Sequence, residues 1–227
     1  MPNPPDDTDE LRQEAIDSCL TLRAWGHFVG TWGNIGVRVQ QGLLVTPTRL
    51  DYSVMRPADL VVVSWNGERL KGTRLPSSEM ELHRQVLLRR ADMQAVVHTH
   101  SPYATCLAVA GRALPVCVED MAQIVGGTVH CSKYVRGGMH AELAAAACEA
   151  LGDESFAALL ANHGAIVGGR NLAEAVVASQ ILEKAAMAFL FARGLGGAIT
   201  LPVEAAAAER DRFLHKYGTA ADQAETS

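Results

Sequence analysis

Apolar residues near the start of the chain recur at spacings of three and four, which is the spacing of one face of an α-helix. The residues with this spacing are Leu11, Ala15, Cys19 and Leu22. Gly26 follows the run, and glycine is common where helices end. The pattern therefore predicts a first helix that ends close to this glycine.

Three short segments rich in β-branched residues follow, each bounded by Gly, Pro or Asn-Gly, as β-strands often are. Their sequences are NIGVRV, GLLVTP and LVVVSWNGERLKG. In the third, Asn66-Gly67 lies between two apolar runs, which is a strong signal for a β-hairpin. These segments predict strands of a mostly antiparallel sheet.

The rest of the chain alternates between helical and strand-like patterns. LPSSEMELHRQVLLRR predicts a helix opened by serine caps, and AVVHTH after it indicates a buried strand. Ser101-Pro102, a cap and first-turn pair, predicts the start of a helix that runs to Gly111. Two longer helical patterns, MHAELAAAACEALG and LAEAVVASQILEKAAMAFLFARG, flank the strand-like ALLANHGAIVGG.

No internal repeat or linker divides the sequence, so we expect an α/β fold: a single domain with a central, mostly antiparallel sheet covered by helices. The acidic, Pro-rich residues 1–9 are expected to be disordered. Residues 10–201 are expected to form the domain. The Ala/Glu-rich residues 202–227 predict a C-terminal helix or a flexible tail.

Composition narrows the classes of partner. The 227 residues are 48% apolar, which is enough for a sizeable core, and the net charge of −5 comes without any basic run. Nucleic acid and membrane surfaces are therefore unexpected partners. The five cysteines lack a C-x-x-C pair, which suits reduced thiols. With no signal sequence and no apolar run near the roughly 20 residues of a membrane span, we expect a cytoplasmic location.

Two histidines stand one residue apart on the strand-like AVVHTH. Because side chains alternate across a strand, His98 and His100 share a face and their ring nitrogens could converge on one ion. His163, in an Asn-His-Gly sequence, is a third candidate. Three neutral imidazoles with Glu79 or an open position would suit a catalytic Zn²⁺ site. Taken alone, the pair has a second interpretation, as buried histidines satisfied by hydrogen bonds in the core.

Three further segments carry glycines or hydroxyls: TWGNIG (31–36), TPT (46–48) and LPSSE (75–79). Glycine lets backbone N–H groups approach an anion, hydroxyls donate to phosphate oxygens, and a helix N-terminus carries partial positive charge. Each segment is therefore a candidate anion contact. Each is also open to interpretation as an ordinary turn or N-cap.

Taken together, the motifs resemble the class II aldolase/adducin family, and within it the L-fuculose-1-phosphate aldolase type. The motifs, in order, are GN at 33–34, LLVTPT at 43–48, LPSSE at 75–79, VVHTHSPYA at 96–104, GG-x-x-x-x-x-x-Y at 126–134 and NHG at 162–164. The resemblance runs from about Leu11 to Arg193. It implies that residues 10–201 are a class II aldolase-like catalytic domain.

The resemblance also implies the site. It implies a divalent metal, zinc above all with manganese or cobalt as alternatives, held by His98, His100 and His163. Glu79 would be a further ligand and a catalytic acid/base. The residues implied to bind a substrate phosphate are Gly33, Asn34, Thr48, Ser77 and Ser78. The family's catalytic tyrosine matches Tyr134, which in such aldolases reaches the site from a neighbouring subunit, so a homotetramer with sites at subunit interfaces is implied.

The implied reaction is aldol cleavage of a ketose 1-phosphate of the 5-deoxyribulose, 5-methylthioribulose or fuculose type, giving dihydroxyacetone phosphate and an aldehyde. A divalent metal can stabilise the negative charge left on the three-carbon fragment, so no lysine Schiff base is needed. Alternatives with the same fold are a methylthioribulose-phosphate dehydratase, a pentulose-phosphate 4-epimerase, a decarboxylase and a non-enzymatic adducin-like module. The epimerases usually carry Asp where this chain has Glu79, and the dehydratases typically read Ser-Ala-Glu where it has Ser-Ser-Glu.

Two residues depart from the family pattern. Gly36 stands where a serine is common, and Arg49 stands where a glycine is common. Arg49 would either add a cation beside the phosphate or point outward. Other residues of metal-binding type receive no functional role: His130, His140, Cys131 and His83. We place His83 on a solvated helix face.

Overall fold

A seven-stranded sheet forms the centre of the computed structural model, which describes residues 3–216. The strands are β1 (Asn34–Val39), β2 (Gly42–Val45), β3 (Val61–Val63), β4 (Arg69–Lys71), β5 (Ala95–Thr99), β6 (Ala157–Leu160) and β7 (Gly164–Gly169). Their order is β4-β3-β2-β1-β5-β7-β6, and every neighbouring pair is antiparallel. The predicted α/β class with an antiparallel sheet is confirmed.

Helices cover both faces of this sheet. They are α1 (Asp9–Ala24), α2 (Met80–Arg89), α3 (Pro102–Val109), α4 (Glu119–Ile124), α5 (His140–Leu151), α6 (Leu172–Gly194) and α7 (Val203–His215). A 3₁₀ turn covers Pro57–Asp59. All but α4 were predicted, at least as alternatives. At six residues, α4 is too short to show a helical period.

The two faces of the sheet bury different helices. Ile35 and Val97 pack with α1 and the start of α6, whereas Val96 packs with α2 and α5. Because side chains alternate along a strand, Asn34 and His98 lie on the face that α2 covers. This layering puts the end of β5 close to the start of α2.

The segment ALLANHGAIVGG is a hairpin, so its prediction as a single strand-like run is wrong. β6 ends at Leu160 and β7 begins at Gly164. Asn162 turns the chain between them with φ +58°, a left-handed conformation that Asn tolerates better than most residues. His163 therefore lies in a tight turn, where its N–H donates to the Leu160 carbonyl at 2.9 Å. The predicted hairpin at Asn66-Gly67 is confirmed between β3 and β4.

The prediction that serines cap α2 is also wrong, whereas Ser101 is the N-cap residue of α3 as predicted. Glu79 is the N-cap of α2, and Ser77 lies in the preceding turn, where its Oγ accepts the Glu79 N–H at 3.2 Å. Ser101 does precede α3, but its hydroxyl makes no capping hydrogen bond. The α3 N–H groups of Tyr103 and Ala104 instead donate to Glu183 of α6, each at 2.8 Å. A carboxylate from another helix does the capping because it accepts both bonds at once.

The chain ends differ from the expected disorder in part. Residues 3–8 form no helix or strand, but the Asp7 carboxylate is buried, with Arg12 Nε at 2.6 Å and Lys71 Nζ at 3.0 Å. Burial opposes ionisation of Asp7, yet these two cations outweigh it and lower the pKa of the carboxyl. The C-terminal segment after Pro202 was predicted as a helix or a flexible tail, and α7 is that helix. Residues 217–227 of the predicted tail lie outside the described residues.

One helix, α6, is long and apolar enough to cross a membrane by length and composition. From the sequence we expected no apolar run long enough to cross a membrane. In this fold the buried face of α6 packs on the sheet and on α3 and α4, which is the position of a core helix. All five cysteines are free thiols, as their spacing predicted.

Candidate active site

Four predicted metal-binding side chains converge at one end of the sheet: Glu79, His98, His100 and His163. They come from the start of α2, the end of β5 and the turn between β6 and β7. One ligand atom from each lies within 4.8 Å of the others. The three imidazole rings are 4.7 to 5.0 Å apart, centroid to centroid. The structure thus brings together residues that are up to 84 positions apart in the sequence, from Glu79 to His163.

His98 is completely buried, and its hydrogen bonds fix its tautomer. Nδ1 lies 2.9 Å from the Ala165 carbonyl oxygen, which only accepts hydrogen bonds, so Nδ1 carries the proton. In the neutral ring, the Nε2 lone pair then points at Glu79 Oε2, 3.2 Å away. Among the described residues, none forms a hydrogen bond with Nε2. Two electron-pair donors face each other here, an arrangement that a cation between them would stabilise.

His100 is held by its backbone and kept neutral by burial. Its N–H donates to the His27 carbonyl at 2.9 Å, and the helix that Glu183 caps begins two residues later. Burial, and then the proximity of His98 and His163, lowers the pKa of His100 to about 3. Burial also lowers the pKa of His98. Both rings therefore present lone pairs at neutral pH.

Glu79 is the anionic member of the cluster. Burial opposes its ionisation, but His98, His163 and a hydrogen bond from Asn34 hold the pKa of the carboxyl well below its usual range. His163 Nε2 lies 3.2 Å from Glu79 Oε1. An ionised carboxylate at a helix N-terminus is also favoured by the helix dipole.

This donor set fits a divalent metal. Neutral imidazole nitrogens and an ionised carboxylate are the protonation states in which these side chains bind metal ions. The separations of 3.2 Å between Glu79 oxygens and two imidazole nitrogens are near the distance between neighbouring ligands of a tetrahedral zinc ion, about 3.4 Å for bonds of about 2.1 Å. The second ring nitrogen of His98 is bound to a carbonyl, the usual outer partner of a metal-binding histidine.

Gly164 allows the His163 turn to approach the end of β5. A Cβ at this glycine would lie 2.1 Å from the Thr99 carbonyl oxygen. Gly164→Ala should therefore push the turn away from His100 and lower the free energy of unfolding by about 1–3 kcal/mol, the usual cost of overpacking. Urea unfolding measures this cost. Gly137→Ala is the control, because among the described residues no atom lies within 4 Å of the Cβ it would add. It should unfold like the wild type. An equal loss of stability in both variants would contradict the close approach at Gly164.

The predicted phosphate-binding segments lie side by side. The Thr48 N–H donates to Leu75 O at 3.1 Å, and the Ser77 N–H donates to Thr46 O at 2.9 Å. Ser78 is exposed while Ser77 is buried. Gly33 has φ +118°, and a Cβ there would lie 2.2 Å from the Phe28 ring, so a side chain has no room at this position. The TPT and LPSSE segments thus form one surface before α2.

Asn34 differs from the rest of the predicted phosphate set, because its side chain amide is already hydrogen-bonded inside the protein. Nδ2 donates to Glu79 Oε2 at 2.9 Å, and Oδ1 contacts His83 Nε2. The register of β1 and β5 pairs Asn34 directly with His98. Asn34 is therefore built into the surroundings of the metal-binding cluster.

The predicted position of His83 is wrong. It is completely buried, not on a solvated helix face, because α2 packs it against β1, where Gly36 has no side chain. The signal was available: His83 follows Glu79 by four residues and precedes the buried Leu87 by four, which is the spacing of one helix face. Histidine does not count as apolar, so the hydrophobic pattern missed it.

Tyr134 lies at the surface of the protein. Its side chain is 63% exposed, and no hydrogen bond within residues 3–216 joins it to Glu79 or the three histidines. Ser132, two residues before Tyr134, contacts the turn that carries His163, because its Oγ accepts the Ala161 N–H at 3.3 Å.

Arg49, one of the two departures from the family pattern, is exposed and has φ +57°. This backbone conformation suits the glycine that is common at this position in the family.

Comparisons with known proteins agree with the motif order. Residues 13–190 match the model of the Class II Aldolase and Adducin N-terminal domain. A 5-methylthioribulose-1-phosphate/5-deoxyribulose-1-phosphate aldolase from Rhodospirillum rubrum is 36% identical over 95% of this chain and 94% of its own length. A 5-deoxy-D-ribulose 1-phosphate aldolase from Bacillus thuringiensis serovar kurstaki is 38% identical over 84% of this chain and 89% of its own.

A solved structure of an L-fuculose 1-phosphate aldolase has the same fold. It superposes with a TM-score of 0.87 at 32% sequence identity, and the match covers 91% of this chain and 97% of the chain in that structure. The resemblance inferred from the motifs is confirmed. With a cluster of three histidines and a carboxylate, the comparisons support a divalent metal in this chain.

Proposed function

We propose a function from one premise: the chain belongs to the class II aldolase and adducin family. It is a metal-dependent aldolase that cleaves a ketose 1-phosphate to dihydroxyacetone phosphate and an aldehyde. The observation that carries this proposal is the cluster of Glu79 and three histidines with a lone pair of His98 aimed at the carboxylate. An adducin-like module without enzymatic activity would not need such a cluster.

We propose 5-deoxyribulose 1-phosphate or 5-methylthioribulose 1-phosphate as the first substrates to test, with fuculose 1-phosphate as a third. The first two are substrates that the names of the Rhodospirillum and Bacillus relatives state, and the third follows from the solved L-fuculose 1-phosphate aldolase. All three share the phosphate and the C3–C4 bond, and they differ only beyond the carbons that react.

Zinc is the metal we propose, held by His98, His100, His163 and Glu79, with manganese or cobalt as alternatives. Three imidazoles and a carboxylate are ligands that zinc accepts, and a catalytic site exchanges or adds a ligand for substrate. When bound, the divalent cation supplies positive charge that stabilises negative charge on the three-carbon fragment.

The protein residues divide the proton transfers between them. As the C3–C4 bond breaks, its electron pair stays on C3, and Tyr134 accepts the proton of the C4 hydroxyl while the aldehyde forms. Glu79, which is ionised at rest, takes up a proton from water and delivers it to C3, which completes dihydroxyacetone phosphate. Tyr134 returns to its phenolate form by releasing its proton to water, so that no proton is gained or lost overall. Groups on two sides of the substrate allow both transfers without one residue having to move across it.

We propose that Tyr134 acts in the site of a neighbouring subunit of a homotetramer. Its exposure and its lack of contact with Glu79 within one chain support this arrangement. We further propose residues 10–201 as the catalytic domain, a cytoplasmic location, and no membrane or nucleic-acid partner. The free cysteines and the lack of a basic run support the last two proposals.

The phosphate of the substrate is proposed to bind to Gly33, Asn34, Thr48, Ser77 and Ser78. Ser78→Ala is the cleanest test, because Ser78 is exposed while Ser77 supports the backbone of Glu79. A lost hydrogen bond to a charged group costs roughly 1.5–3 kcal/mol, so KM for the ketose 1-phosphate should rise at least about tenfold with metal content unchanged. The same ketose without phosphate is the control and should react equally slowly with both proteins. An unchanged KM would remove Ser78 from the phosphate site.

Product identity separates aldol cleavage from the other reactions of the fold. The metal-loaded protein is incubated with the three ketose 1-phosphates, and the products are identified by nuclear magnetic resonance. We expect dihydroxyacetone phosphate and an equal amount of aldehyde. A dehydrated sugar phosphate, a 4-epimer or carbon dioxide from a carboxylated substrate would each replace the aldolase proposal with one named alternative.

A further inference from the structure

We propose that His83 is a positioning residue that, through Asn34, fixes the orientation of the Glu79 carboxylate for metal binding. The proposal rests on the proposed role of Glu79 as a metal ligand. It adds a buried pair of residues, outside the set of ligands and catalytic groups, that determines how well the ligand is held.

The contacts form a continuous chain from α2 through β1 back to α2. His83 Nε2 is hydrogen-bonded to Asn34 Oδ1, and Asn34 Nδ2 donates to Glu79 Oε2 at 2.9 Å. His83 is completely buried, and Asn34 is only 7% exposed. Water therefore cannot replace either hydrogen bond at low cost.

The direction of each hydrogen bond follows from the carboxylate. Ionised Glu79 can only accept hydrogen bonds, so Asn34 must turn its NH₂ group toward it. The Asn34 oxygen then faces His83, which must donate from Nε2. In the neutral ring Nδ1 then carries no proton, and Nδ1 has no hydrogen-bond partner among the described residues. The charge of Glu79 thus sets the tautomer of His83 through the amide of Asn34.

Gly36 makes room for this histidine. A Cβ at Gly36 would lie 2.8 Å from His83 Nδ1 and 2.9 Å from His83 Cβ. Asn34 and Gly36 lie two residues apart on the same face of β1, opposite His98 and Val96. The ring therefore lies directly against the strand, within reach of Asn34. This accounts for Gly36, the glycine that departs from the family pattern.

The effect on Glu79 is to fix one of its two oxygens. Asn34 lies on a central strand and is paired with His98, so its amide has a fixed position relative to the cluster. With one Oε2 lone pair occupied by Asn34, the remaining lone pairs point toward the histidines. Outer hydrogen-bond partners of this kind commonly change metal affinity or activity by about 10- to 100-fold when they are lost.

The test compares His83→Gln with His83→Met. The two side chains have nearly the same shape, but only glutamine carries an amide N–H that can replace the Nε2 donor. Binding of Co²⁺ alone is measured by its visible absorption, and kcat and KM are measured for 5-deoxyribulose 1-phosphate. We expect His83→Met to bind Co²⁺ about 10- to 100-fold more weakly than His83→Gln and to have a lower kcat than His83→Gln.

Equal Co²⁺ affinity in the two variants would overturn the proposal, because the donor would then have no effect on the ligand. If His83→Met does not fold, nitrogen NMR of the wild-type protein decides instead. A proton on Nε2 of His83 supports the proposal, and a proton on Nδ1 overturns it. A wild-type protein that binds Co²⁺ but releases no dihydroxyacetone phosphate would contradict the proposed function alone, since the comparison of Co²⁺ affinities would still stand.

Discussion

Replacing His98 by alanine should remove the divalent metal and the aldolase activity together. His98 is the completely buried member of the cluster, and its free Nε2 points at Glu79. Without this ligand, the metal loses a fixed donor at the centre of the site. Because a metal contributes several kcal/mol of charge stabilisation, the rate should fall about a thousandfold or more.

Metal content is measured by elemental analysis after dialysis, and activity by release of dihydroxyacetone phosphate. His130→Ala is the control, since His130 is exposed and lies outside the cluster; it should keep both metal and activity. Circular dichroism verifies that His98→Ala is folded. A folded His98→Ala protein with its full complement of metal would refute the three-histidine site.

Tyr134→Phe should lower kcat by about 10²- to 10⁴-fold, the range that a positioned acid or base contributes, and should leave metal content unchanged. The ring remains, so packing is preserved and only the hydroxyl is lost. Glu79→Gln should be similarly slow. Each variant alone lacks one of the two proton-transfer groups.

Mixing the two inactive variants tests where Tyr134 acts. If each site takes Glu79 from one subunit and Tyr134 from another, equal mixing gives roughly a quarter of sites with both groups intact. Activity should then recover after the chains are unfolded and refolded together, but not when each is refolded separately. Mixed assemblies, verified by mass spectrometry, that stay inactive would place both groups in one chain.

The parts of the fold that depend on local pattern could be predicted from the sequence. Leu11 to Leu22 have the period of a helix, and Asn66-Gly67 between apolar runs gave the correct hairpin. Strand alternation alone predicts that His98 and His100 share a face, whereas their interpretation as metal ligands also needed the other motifs. The hairpin at Asn162 was missed, although Asn-His-Gly interrupts the apolar run with residue types that are common in turns.

The residues around the ligands could not be predicted in the same way, because they depend on which elements pack together. Burial of His83 requires both the helical phase of α2 and the missing side chain of Gly36 on another strand. Glu183 caps α3 by accepting hydrogen bonds from two residues that lie 80 and 79 positions earlier in the sequence. Such contacts have no local signature, whereas the ligands themselves lie in short motifs.

Metal titration of the metal-free protein shows whether cleavage requires a bound divalent metal. The protein is treated with chelator and dialysed, Zn²⁺ or Mn²⁺ is added back in steps, and release of dihydroxyacetone phosphate from 5-deoxyribulose 1-phosphate is followed at each step. We expect no release without metal and a rate that rises until one ion is bound per chain. Release at full rate from the metal-free protein would contradict it.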